Sequence, residues 1–231
     1  MTGVAGLGII YRQMNGWAGI FDMDGVVVDT VRLHFQAWKR MFEGRGKAFT
    51  FDDYKARVDG IPRRDGARAV LGDLPSAELE KACDAKQGYF LELLEKEKVP
   101  AYEGTVGLVK AIRASGRKVA LISSSKNLSR IIGAAGLGDI WDAVVNGHEI
   151  TKGKPDPQIF LMAAERLGTP PVNCVVFEDA VLGVEAARRA GSKCVGIDRY
   201  GDAARLSKAD IVVKDLSEIS LVQVDALFNR A

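Results

Sequence analysis

The sequence predicts an α/β fold: a Rossmann-like parallel-sheet core interrupted by a small α-helical insertion. Three observations carry this expectation. From about Gly104 onward, short apolar runs of strand character alternate with helical patterns. Between Val31 and about Val99 the alternation stops, and only helical patterns remain. Two distant apolar runs, Gly19-Ile20-Phe21 and Cys174-Val175-Val176-Phe177, each lead straight into carboxylates: Asp22 and Asp24 after the first, Glu178 and Asp179 after the second.

Taken in order, the first strand runs into Asp22. Helices are then expected over Leu33 to Glu43, Phe51 to Val58, Arg63 to Leu71 and Ser76 to Lys96, the last with Leu79, Cys83, Phe90, Leu91 and Leu94 at helical spacing. A helix from Gly104 to Ser115 stops at Gly116, and the strand Lys118 to Ile122 ends in Ser123-Ser124-Ser125. Asn127 to Ala135 is helical, Ala143 to Val145 a short strand, and Pro157 to Leu167 a helix closed by Gly168. Val172 to Phe177 is a strand, Val181 to Ala190 a helix, Lys193 to Ile197 a strand, Ile211 to Val213 a weaker one, and Ser217 to Phe228 the last helix. The expected organisation is an N-terminal extension at 1–15, a core formed by 16–31 with 100–231, and a helical block at 32–99. Strands alternating with helices imply a parallel sheet covered on both faces, and ligands on such sheets bind beyond the carboxyl ends of the strands. An insertion straight after the first strand sits above that edge, in the position of a lid.

Composition narrows the function classes. A chain of 231 residues suits one sizeable α/β domain or a core with a small second one. The net charge is +2 with acids and bases interspersed, so nothing demands nucleic acid or an anionic membrane, and no apolar stretch reaches the length of a membrane span. Cys83, Cys174 and Cys194 are odd in number and widely spaced, which argues against disulfides and zinc and for a reducing cytoplasm. The Gly-rich segment 1–15 lacks the features of a signal peptide and reads as a loosely held extension.

Carboxylates gathered at neighbouring strand ends repel one another, and persist only around a cation or with a strongly shifted pKa. All-oxygen ligands favour Mg²⁺. Structural alternatives stand beside this reading: Asp24-Gly25 as a strand-exit turn, and Asp179 as a cap for the helix near Val181.

Four motifs in order make the chain resemble the haloacid dehalogenase-like superfamily, in the subgroup with a small helical cap, close to β-phosphoglucomutases and related sugar-phosphate phosphatases. They are Phe21-Asp22-Met23-Asp24-Gly25 through Asp29-Thr30; Ser123 with Ser125-Lys126-Asn127; Lys154 in Gly153-Lys154-Pro155-Asp156-Pro157; and Glu178-Asp179 followed by Gly183 and Ala186 to Gly191. The resemblance runs from Gly19 to about Asp198. It implies a nucleophilic Asp22, whose carboxylate attacks phosphorus without needing a base, and Asp24 as general acid and base. It implies Mg²⁺ held by Asp22, the main-chain oxygen of Asp24, Glu178 and Asp179, to bring anions together. Ser123 would donate to the transferring phosphoryl oxygens, or alternatively cap the Asn127 helix, a task open to Ser125. Lys154 would neutralise charge on Asp22 and the phosphoryl group; its place between Gly153 and Pro155 sets it apart from a free surface lysine.

His34 and Trp38, four apart, share a helix face that the resemblance turns toward the reaction centre. Arg63, after Asp59-Gly60-Ile61-Pro62, matches a substrate-specificity loop in which a guanidinium grips the phosphate that is not transferred; Ser125, Lys126 and Asn127 match the mutases as well. Packing of a His/Trp face and a surface arginine are the alternatives. One departure stands out. β-Phosphoglucomutases carry lysine four residues before this arginine, where this chain has Asp59, repulsive to a phosphate unless it turns toward Arg63 or Arg64. The implied activity is Mg²⁺-dependent phosphoryl transfer from a small sugar phosphate, with net hydrolysis expected first and hexose-phosphate isomerisation second. The enzyme is expected to be a monomer with no nucleic-acid or membrane partner. Asp24 disfavours dehalogenation, and possession of Asp22, Asp24, Lys154 and Asp179 together disfavours a non-catalytic binding module. A domain phosphorylated by a partner kinase would have no need of the helical insertion.

Overall fold

The computed structural model describes residues 16–97 and 99–229. The expected extension at 1–15 lies outside them. Six strands form one parallel sheet: β1 (Ala18–Asp22), β2 (Val119–Ile122), β3 (Ala143–Val145), β4 (Cys174–Glu178), β5 (Lys193–Ile197) and β6 (Ile211–Val213), in the spatial order β3-β2-β1-β4-β5-β6. The chain leaves β1 for β2 and β3 on one side, then returns for β4 on the other, so β1 and β4 flank the switch point where such sheets bind ligands. Phe21 pairs in register with Phe177, and their rings stack at 4.3 Å. One step further along each strand lie Asp22 and Glu178.

β1, β2 and β4 are buried at every position, as strands covered on both faces must be. Phe21, Leu121, Val175 and Phe177 join one apolar cluster, while Ile20, Ala120, Ile122 and Val176 join another on the opposite face. The helical block consists of α1 (Val31–Glu43), α2 (Phe51–Arg57), α3 (Arg63–Leu71) and α4 (Ser76–Lys96), with an apolar cluster of its own around Trp38, Phe42, Phe49, Tyr54 and Leu79. Its entry and exit run side by side: Asp29 N donates to Pro100 O at 3.0 Å, and Tyr102 N to Val27 O at 2.9 Å. The sheet is covered by α5 (Glu103–Ala114), α6 (Leu128–Ala134), α7 (Gln158–Leu167), α8 (Val181–Arg189) and α9 (Leu221–Phe228).

Three elements differ from expectation by two residues or more; α1 starts at Val31 rather than Leu33. β4 begins at Cys174 rather than Val172, because Pro171 opens a 3₁₀ turn (Pro171–Asn173) and has no N–H for a ladder. The last helix does not run unbroken from Ser217. A 3₁₀ turn (Leu216–Glu218) comes first, and Ser220 with Gln223 forms a capping box that starts α9 separately. Among the described residues no helix is long and apolar enough to cross a membrane.

Candidate active site

Asp22 ends β1 and Glu178 ends β4, while Asp179 is the first residue past β4. That one-residue step out of the strand lets two adjacent side chains serve one crevice. One oxygen from each of Asp22, Glu178 and Asp179 lies within 4.8 Å of the others. All three residues are buried. The turn that follows β1 is shaped to admit them. Gly25 has φ +82°, and a Cβ there would come within 2.5 Å of Asp179 Oδ2. Gly183, on α8, is equally constrained: a Cβ would come within 2.1 Å of Glu178.

Lys154 is the cation of this cluster. Its Nζ donates to Asp22 Oδ1 and to Glu178 Oε2, both at 2.8 Å, and its side chain is wholly enclosed. Glu178 Oε1 accepts from Ala180 N at 3.2 Å. Burial and the neighbouring Glu178 push the Asp22 carboxyl well up in pKa despite Lys154. Burial likewise pushes Asp179 up to about 7, against the pull of a lysine beside it. The crevice therefore holds more carboxylate than its ammonium groups fully offset. Three hard oxygen donors in that state fit a Mg²⁺ ion.

Asp24 faces a different environment. Ser123 Oγ donates to its Oδ2 at 2.9 Å, Thr30 Oγ1 donates to its Oδ1, and His34 Nε2 lies 3.3 Å from Oδ1. Burial alone would raise its pKa, but the polar hydrogens of His34, Thr30 and Ser123 outweigh burial and hold it below the usual carboxylate range. Lys86 Nζ lies 2.9 Å from His34 Nδ1. An ammonium has only protons to offer, so Nδ1 accepts and Nε2–H faces Asp24. Burial and the Lys86 charge lower the His34 pKa, in keeping with a neutral ring.

These side chains open into a cavity of about 350 Å³, also lined by Trp38, Arg63, Ser125, Lys126 and Asn127. All twelve residues singled out in the sequence thus lie in one connected site: eleven line the cavity or the acidic crevice, and Ser123 stands behind Asp24 as its hydrogen-bond donor. Arg63 Nη1 donates to Gln87 Oε1 at 2.5 Å, and Gln87 Nε2 donates to Asn127 Oδ1 at 2.8 Å, so Gln87 joins the two. Ser125 Oγ accepts from Asn127 N at 3.1 Å and so takes the helix-entry role, which frees Ser123 for Asp24. Asp179 does not cap α8; Ala180 occupies that position. His148 lies exposed in a turn.

Asp59 turns toward neither Arg63 nor Arg64; it pairs with Lys55, one helical turn earlier, while Arg64 pairs with Glu80. Thr30 closed the first motif without a role of its own, and Lys55, Lys86 and Gln87 were not singled out from sequence. Nor was Arg199, whose Nε donates to Gly25 O at 2.7 Å and whose Nη1 donates to Asp215 Oδ2 at 2.8 Å, pinning the turn that carries Asp24.

The family model for haloacid dehalogenase-like hydrolases matches residues 18–191. A protein of Mycobacterium bovis named beta-phosphoglucomutase is 37% identical, over 87% of this chain and 90% of its own. A protein of Thermotoga maritima named phosphorylated carbohydrates phosphatase is 32% identical, over 92% of this chain and 96% of its own. The crystal structure of a beta-phosphoglucomutase from Clostridium difficile superposes with a TM-score of 0.84 at 26% identity, over 93% of this chain and 97% of that one.

Proposed function

The chain belongs to the haloacid dehalogenase-like hydrolase family, and from that premise we propose that it is a Mg²⁺-dependent enzyme that moves the phosphoryl group of a small sugar phosphate through Asp22. Lys154 occupies Oδ1 of Asp22 and leaves Oδ2 to attack phosphorus in line. The bond from phosphorus to the sugar oxygen breaks, that oxygen takes from Asp24 the proton gained from the previous acceptor hydroxyl or water, and the product is an aspartyl-phosphate. Asp22, Glu178, Asp179 and the main-chain oxygen of Asp24 would hold Mg²⁺, which would supply charge neutralisation for the approach of two anions. Lys154 and the Ser123 hydroxyl are the chain's own groups for the same purpose, Ser123 by turning from Asp24 to a phosphoryl oxygen.

Of the two fates of the aspartyl-phosphate, isomerisation is the reading we adopt, and the side chains that suit a second phosphate carry it: Arg63, Lys126 and Asn127 line the same cavity as Asp22. Asp24, held as a carboxylate by its neighbours, is the base that either fate needs. In isomerisation it takes the proton of a sugar hydroxyl as that oxygen attacks the phosphorylated Asp22. The same proton then serves the leaving oxygen when the bisphosphate turns and transfers its other phosphate. One further observation supports the reading. Asp59, the residue that argued against a mutase, has its charge taken up by Lys55.

Hydrolysis is the second reading, favoured by the similarity to the Thermotoga phosphatase. It shares every step up to the aspartyl-phosphate and differs only in admitting water. The reading further takes the enzyme as cytoplasmic and monomeric. Three free, buried cysteines support the former.

Incubation with β-glucose 1-phosphate, Mg²⁺ and a trace of glucose 1,6-bisphosphate tests the proposal. Glucose 6-phosphate is the expected product. Inorganic phosphate in its place would make the enzyme a hydrolase, and neither product would point to another sugar phosphate.

A further inference from the structure

Lys55 has no part in the steps above, yet it is among the most enclosed lysines of the molecule, at 8% exposure. Long cationic side chains ordinarily carry their charge out to water. This one carries it inward, and its partners come from three separate segments. Nζ donates to Asp179 Oδ2 at 3.2 Å, across 124 residues of sequence. It pairs with Asp59, on the loop between α2 and α3. It also lies 5.2 Å from the centre of the Tyr200 ring, past the end of β5. Phe51, at the start of the same helix, meets the Tyr200 ring edge-on at 5.1 Å. Helix α2 is thus seated on the core at Tyr200 and Asp179. The loop that follows it is tied down as well: Ser124 Oγ donates to Gly60 O at 3.0 Å.

A buried ammonium is tolerated only when paired, and here one of its two pairs crosses from the helical insertion to the core. Swinging the insertion away would break that pair and leave Asp179 without its cation. We propose that Lys55 is a clasp, a positioning residue that fastens the closed insertion to the carboxylate Asp179 and so keeps water from the phosphoryl group on Asp22. The consequence for the phosphoryl group rests on the phosphoryl-transfer reading; the clasp rests on geometry alone. Lys55 and a bound Mg²⁺ would draw on the same Asp179 carboxylate, sharing a ligand while repelling each other. When the insertion opens, water can attack phosphorus: a P–O bond to water forms, the P–O bond to Asp22 breaks, and Asp24 takes the proton of the water.

The test is Lys55→Met, with Lys55→Arg as the rescue. Loosening should speed amide hydrogen exchange across residues 51–62 by about tenfold or more. It should raise the ratio of released phosphate to phosphoryl transferred to sugar by a similar factor. Removing a positive charge beside Asp179 should also tighten Mg²⁺ binding, measured by calorimetry without substrate, by at least about threefold. A merely destabilised protein would bind Mg²⁺ more weakly, so tighter metal with a looser insertion is the signature of the clasp. Lys55→Arg should restore wild-type exchange. If Lys55→Met fails to fold, the Lys55→Met/Asp59→Asn double variant removes the cation together with one of its anions and carries the same readouts. Unchanged exchange at 51–62, or weakened Mg²⁺ binding, overturns the clasp. A wild-type enzyme that neither transfers nor releases phosphate overturns the phosphoryl-transfer reading instead, and exchange with calorimetry still decides the clasp.

Discussion

Lys154 Nζ lies 2.8 Å from Asp22 Oδ1, although 132 positions separate the two residues. The same ammonium is 2.8 Å from Glu178 Oε2, and no part of the side chain reaches solvent. Lys154→Met would leave two buried carboxylates facing each other with no cation between them. Removing one partner of a buried ion pair costs about 3–5 kcal/mol. The expected outcome is a loss of that order in urea denaturation, together with loss of turnover. Mg²⁺ should return part of the lost stability, since it brings positive charge to the same crevice, and the stability gained on adding Mg²⁺ should be larger for the variant than for wild type.

Asp22→Asn removes the nucleophile while keeping its shape and its ability to accept from Lys154. Turnover of any phosphate ester should fall by about 10⁴-fold or more, in line with the loss of a residue on which all later steps depend. Stability should change little. The parent carboxyl is disfavoured by burial and by Glu178, and the amide escapes that repulsion. Steady-state phosphate release and circular dichroism check the two halves; substantial residual activity with an intact fold would remove Asp22 from the mechanism.

The sequence made the frame of this site legible because each acidic residue falls at a strand end, where a period of two gives way to a turn. Asp22, Asp24, Glu178 and Asp179 could be found that way, and Lys154 by its confinement between Gly153 and Pro155. Side chains supplied by the helical insertion were harder, since their targets lie far away in the chain. Two of them did leave a local mark. Lys86 sits in the stripe of buried α4 residues formed by Leu79, Ala82, Cys83 and Phe90, a charged residue on an apolar face. Lys55 precedes Asp59 by four, the spacing of a helical ion pair, which explains why Asp59 turns away from Arg63. Gln87 and Arg199 left no such mark, because their partners are set by tertiary packing alone.

Mg²⁺ binding should weaken in mild acid. In the metal-free fold burial raises Asp179 to about 7 from an ordinary value near 3.8. Below pH 7 that carboxyl holds a proton which the metal must displace, and affinity should drop by up to about tenfold for each further pH unit. The same raised pKa makes the metal-free protein less stable as pH rises from about 4 to 7, because across that window the folded state binds the extra proton. The stability gained on adding Mg²⁺ should therefore be larger at pH 8 than at pH 5, measured by thermal unfolding at fixed Mg²⁺ concentration. EDTA should abolish turnover and Mg²⁺ restore it.

Lys86 gives the opposite trend at higher pH. Its side chain is enclosed, and burial followed by the charge of Arg63 brings its pKa from 10.5 to about 7. Between those two values the unfolded chain holds a proton that the folded one has released, so Lys86 contributes stability that rises with pH across the window. Below pH 7 the ammonium is charged in both states, and the full cost of enclosing it is borne by the fold. A tenfold change in proton affinity is worth about 1.4 kcal/mol, so that cost is on the order of 5 kcal/mol at its largest. Lys86→Met removes the charge and keeps the bulk beside Trp38 and Phe90, whose rings the ammonium approaches at 5.2 and 4.8 Å. The variant should be more stable than wild type at pH 6.5, and the difference should shrink steadily toward pH 9. Other titrating groups are common to both proteins and cancel in the comparison. Turnover should fall at the same time, since the neutral His34 that faces Asp24 loses the donor that fixes its tautomer. Urea midpoints of the two proteins across pH 6–9 decide the matter: parallel curves would mean that Lys86 titrates alike folded and unfolded.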